Sequence, residues 1–87
     1  MTRTTYTISS TGIDAYIWDV TMSLAAKNGL DAARRMVSPL VYYINTGRAS
    51  VTFLRGLFSV SPAKVARILA RGGSDNDILA AIKKVAA

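Results

Sequence analysis

Four punctuation points, Asn28-Gly29, Asn45-Thr46-Gly47, Ser61-Pro62 and Gly72-Gly73, constrain this chain more than anything else in it. Gly after a polar residue ends a helix, and Ser-Pro starts one. Between these points the apolar residues recur at helical spacing. Ile13, Tyr16, Ile17, Val20 and Leu24 fall on one face, and so do Ala33, Met36, Val37, Leu40 and Ile44. Val65, Ile68 and Leu69 pair with Ile78, Leu79, Ile82 and Val85 across the Gly72-Gly73 turn. The fold class is therefore all-α: a compact bundle of about five short helices.

The helices are predicted from about Ile13 to Asn28, from near Asp31 to Asn45, over Ala49 to Ser59, from Pro62 to Arg71, and from Ser74 onward. Thr11 and Asp14 stand at capping-box spacing, and so do Ser74 and Asp77. Pro39 predicts either a kinked second helix or a break there, with Ser38 capping a new one. Residues 1–12 are rich in Thr and Ser and have no second strand to pair with. They read as a flexible or extended arm before a single helical domain over 13–87.

Eighty-seven residues make one small domain. Such a chain buries only about 60% of its unfolded surface, yet 51% of this one is apolar. The third helix concentrates the difficulty. Val51, Phe53, Leu54, Leu57, Phe58 and Val60 cover nearly its whole circumference. A helix apolar all round is buried, either at the centre of the bundle or against another copy. Val51, Phe53, Leu54, Leu57 and Phe58 are thus the expected self-association residues, and a homo-oligomer is expected. Gly56, costly in a helix interior, suggests the close approach of another backbone. Trp18 and Met22 lie off the first helix's stripe, placed at the core's edge or toward another subunit.

Charge narrows the function. Eleven Lys and Arg oppose five Asp, a formal net charge of +6. Between Ala32 and Ser74 stand Arg34, Arg35, Arg48, Arg55, Lys64, Arg67 and Arg71, with no acid among them. A one-sign stretch of that length predicts a positive field and a polyanionic partner. Lys64, Arg67 and Arg71, at i, i+3 and i+7, share the side of the fourth helix opposite Val65, Ile68 and Leu69. Such a row neutralises successive phosphates; the same spacing also describes an ordinary solvated face. All seven cations are the expected nucleic-acid-binding set. A helix-turn-helix reading of the last two helices fails, because the groove-reading end would carry Asp75 and Asp77, which phosphates repel. Tyr16, Trp18, Tyr42 and Tyr43 are the aromatic candidates for base stacking.

Enzymatic machinery is nearly excluded. The chain has no His, Cys, Glu or Gln, which removes the commonest zinc ligands and leaves only Asp, Lys, Tyr and Ser as acid–base or nucleophile candidates. Asp14, Asp31, Asp75 and Asp77 sit at proposed helix starts, where the helix dipole accounts for them. No metal or cofactor is expected.

No apolar run exceeds five residues, the length of Leu40–Ile44, which is far short of a membrane span. The N-terminus lacks the apolar core of a secretory signal. The expected location is cytoplasmic or virion-associated. The leading expectation is a non-enzymatic basic helical protein that binds nucleic acid through its phosphates, of a size and charge suited to a virus or mobile element. Two alternatives stand beside it. One is a self-assembling structural subunit, a virion coat or filament protein, which coincides with the first reading where such a coat packs DNA. The other is a modulator that binds the acidic surface of a larger protein complex.

Overall fold

The capping residues decide where each helix begins. In the computed structural model, which describes residues 8–86, five helices follow one another: α1 (Ser10–Asn28), α2 (Leu30–Asn45), α3 (Val51–Ser59), α4 (Pro62–Arg71) and α5 (Asp75–Ala86). The all-α bundle of short helices is the fold observed, and there is no strand among the described residues.

α1 begins earlier than its sequence predicts. Ser9, not Thr11, is the N-cap: the Gly12 N–H donates to its Oγ at 3.1 Å. Residues 10–12 are therefore helical rather than part of an arm, and Asp14 lies beyond the first turn. Residues 1–7 of the expected arm lie outside the described residues. α3 starts at Val51, two residues late, because Ser50 caps it through the Phe53 N–H. Ser61 caps α4 with Pro62 in its first turn, and Ser74 Oγ accepts from the Asp77 N–H at the start of α5.

α2 runs without a break through Pro39. Proline has no N–H to return to the Arg35 carbonyl. Arg35 is exposed and Pro39 half-buried, so the missing bond falls toward the outer side of α2, and the helix continues through it.

α1 and α2 form a hairpin whose corner is the single residue Gly29, at φ +83°. That conformation is open to Gly and strained for other residues. α4 packs across α1, while α3 packs mainly on α5. The core draws on every helix: Tyr16, Val20 and Leu24 of α1 meet Val37 and Leu40 of α2, Leu57 of α3, Val65 and Leu69 of α4, and Ile82 of α5. Thr21, the one buried polar side chain among the described residues, donates its hydroxyl to the Ile17 carbonyl at 2.7 Å. Tyr16 reaches furthest along the sequence. Its ring is fully buried and packs 5.3 Å from that of Phe58, and its hydroxyl donates to the Val60 carbonyl at 2.7 Å. One side chain of α1 thus ties down the α3–α4 corner.

α3 is less enclosed than its composition predicts. Leu54 and Leu57 are buried, Phe53 and Phe58 are half-buried against the core, and Val51 is exposed. It is a flanking helix rather than the centre of the bundle.

The close approach expected at Gly56 is present: a Cβ built there would run into the backbone carbonyl of Ala86, in the last turn of α5. Gly56→Ala gains about 1 kcal/mol of helix propensity. Overpacking against backbone costs about 1–3 kcal/mol. The collision wins, so the variant should unfold at a lower urea concentration with an unchanged slope. A higher midpoint would mean that α3 and α5 do not meet there.

Candidate nucleic-acid interface

The outer face of α4 is built by its inner one. Val65, Ala66, Ile68 and Leu69 are buried, which turns Lys64, Arg67 and Arg71 outward together. With a rise of 1.5 Å per residue, the row extends about 10 Å along the helix. Arg71 stands in the last turn, where the helix dipole favours a cation.

The other expected cations are less gathered. Arg34 and Arg35 are exposed on α2, Arg48 in the turn before α3, and Arg55 on α3. Arg35 lines a hollow with Ser38, Pro39, Tyr42 and Asp75. An anion entering there meets a carboxylate as well as a guanidinium, which weakens Arg35 as a phosphate contact. Arg55 stands on α3, which packs mainly against α5.

One cation outside the expected set stands with the row. Lys27, in the last turn of α1, lines an open groove between α1 and α4 together with Arg67. The groove has a volume of about 380 Å³. Ser23 and Asn28 border it on the α1 side, and Ala63, Ala66 and Ala70 on the α4 side. No acid lines it. In sequence Lys27 belongs to the neutral first third of the chain, and only the packing of α1 on α4 brings it to Arg67. The one local signal for it was its position just before the Asn28-Gly29 stop.

The aromatic candidates divide by exposure. Tyr16 is buried and has no face left for a nucleobase. Tyr43 is half-buried, edge-on to Phe53 at 5.4 Å, with Lys83 Nζ 4.9 Å from its ring centroid. That cation–π contact uses Lys83 within the fold. Trp18 and Tyr42 are exposed at 54% and 65%.

Of the expected self-association residues, Leu54 and Leu57 are enclosed by the chain's own core, so neither is available to another copy. Phe53 and Phe58 show only part of their surface, and Val51 remains exposed. The large apolar side chains that stay outside are mainly elsewhere: Trp18 and Met22 on α1, Leu30 at the start of α2, and Ile8 ahead of α1. Trp18 and Met22 are four residues apart and so adjacent on one face of α1.

Among the described residues no helix is long and apolar enough to cross a membrane. No protein family, curated protein or solved structure matches the chain.

Proposed function

We propose that this is a non-enzymatic, sequence-tolerant nucleic-acid-binding protein whose contact is the outer face of α4. The observation that carries the reading is the row of Lys64, Arg67 and Arg71, all exposed on the side opposite a fully packed apolar face. Its charges are free to meet phosphates, and the helix beneath them is held rigid by the core. The mechanism is neutralisation of successive phosphates with release of their counterions.

Fluorescence anisotropy of short duplexes at stepped salt tests this. Affinity should fall linearly on log–log axes with a slope of at least about 2.7, from three phosphates at about 0.9 each. Two duplexes of unrelated sequence should bind alike. Absence of binding at low salt would sink the reading and leave the basic face to an acidic protein surface.

A second reading, a self-assembling subunit that packs nucleic acid, is favoured by a specific observation. Trp18 and Met22 are both exposed on α1, and that helix carries no cation before Lys27. We place the self-association surface there rather than on α3. The two readings are compatible, since Trp18 and Met22 stand on α1 and the cation row on α4.

A further inference from the structure

We propose that the groove between the end of α1 and α4 is a slot for the nucleic-acid backbone, in which Lys27 and Arg67 grip one phosphate from opposite walls. The inference rests on the nucleic-acid reading above and assigns it a built site.

The two cations come from helices far apart in sequence, and both line this groove. Their pairing is therefore set by the packing of α1 on α4, not by the local spacing that places Lys64 and Arg71. Cations converging on an uncovered groove repel one another unless an anion sits between them, and no carboxylate lines the groove to do so. The negative end of the α1 dipole would oppose a phosphate at this end of the helix, and Lys27 in that last turn offsets it. Ala63 and Ala70 on the α4 side are short and leave the groove open to a strand. The Ser23 side chain adds a hydroxyl at the rim. Arg67 belongs both to the groove and to the middle of the α4 row, so a strand lying in the groove continues onto Lys64 or Arg71. Its planar fork suits two phosphate oxygens at once.

Four consequences are measurable with a short DNA duplex and with a single strand of the same sequence. Lys27→Ala should weaken binding severalfold and lower the duplex salt slope by less than about 0.9, because Arg67 keeps the shared phosphate. Lys27→Ala with Arg67→Ala should lower the slope by about 0.9 in total, not twice that, if both hold one phosphate. Ala70→Leu changes no charge and suits a helix, yet it fills the groove and should weaken binding without removing a cation. Ala63→Leu does the same from the other end of the groove, and serves if Ala70→Leu loses helicity by circular dichroism. Wild-type binding that Lys27→Ala and both leucine variants leave unchanged overturns the slot while the α4 row stands. No wild-type binding at low salt overturns the nucleic-acid reading itself. A polyglutamate chain that competes as well as DNA, and loses equally in Lys27→Ala, overturns phosphate as the ligand in favour of carboxylate.

Discussion

Replacing Lys64, Arg67 and Arg71 together with Ala should reduce duplex affinity by a factor on the order of 10² to 10³ near 0.1 M salt, and should lower the salt slope by roughly 2–3 units. The magnitude follows from counterion release, at about 0.9 of slope per phosphate lost. The fold should not change. All three side chains are exposed, while the residues that hold α4 in place, Val65, Ala66, Ile68 and Leu69, are untouched. Ala is also the best helix former, so helicity by circular dichroism should be equal or slightly higher. The loss should be similar for unrelated duplexes, because phosphate contacts carry no sequence information. Arg48→Ala and Arg55→Ala are the internal comparison. Both remove a cation, yet Arg55 lies on a helix that packs mainly against α5, and each should change the slope by less than one phosphate's worth. If the triple variant binds with unchanged salt dependence, or if Arg48 and Arg55 prove equal to the row, the interface is not α4.

Local chemistry wrote most of this fold into the sequence, and packing between distant segments wrote most of the site. Gly29, Ser61-Pro62 and Gly72-Gly73 act within a few residues of themselves, so the boundaries they set are the ones observed. The apolar stripes of α1, α2 and α4 are also local, and their central members are buried as their spacing requires. The departures have local causes too. Ser50 displaces Ala49 as the start of α3 because Ala has no side-chain oxygen to offer the N–H three residues on, while Ser9 caps α1 a half-turn ahead of Thr11. Pro39 is tolerated because its missing bond falls toward the outer side of α2. The standing of α3 was not legible from composition. Its circumference is apolar, but how much of it is covered depends on where α5 ends, and the Gly56–Ala86 approach decides that. Lys27 was not legible for the same reason: its neighbour Arg67 is supplied by the α1–α4 contact. The burial of Tyr16 follows from its place on the apolar stripe of α1, which removes it as a stacking candidate; only the Val60 carbonyl that its hydroxyl meets has no local signal.

Leu57→Lys and Trp18→Lys should part company completely, although each places a lysine on a large apolar position. Leu57 is fully buried, at 0% exposure. Deleting a core Leu side chain costs about 2–5 kcal/mol, and an unpaired ammonium in its place adds several more. At roughly 0.05–0.15 kcal/mol per residue, a chain of this length holds only about 4–13 kcal/mol of stability. Leu57→Lys should therefore abolish the helical circular dichroism signal rather than yield a folded monomer. Trp18 is 54% exposed, and surface changes of this kind shift stability by only about 0.5 kcal/mol. Trp18→Lys should keep the fold and act on association alone. Wild type should sediment as a dimer or larger species, and Trp18→Lys as a monomer with the same helicity. Trp18 is also the sole tryptophan, so its emission reports directly on the surface in question. Burial against a second copy should move that emission to shorter wavelength as the protein concentration rises, with the midpoint matching that from sedimentation. A wild type that remains monomeric at every concentration, with emission fixed at the solvent-exposed value, removes α1 as an association surface. A folded Leu57→Lys would displace α3 from the core, and would return its apolar circumference to the contact between copies that composition alone suggests.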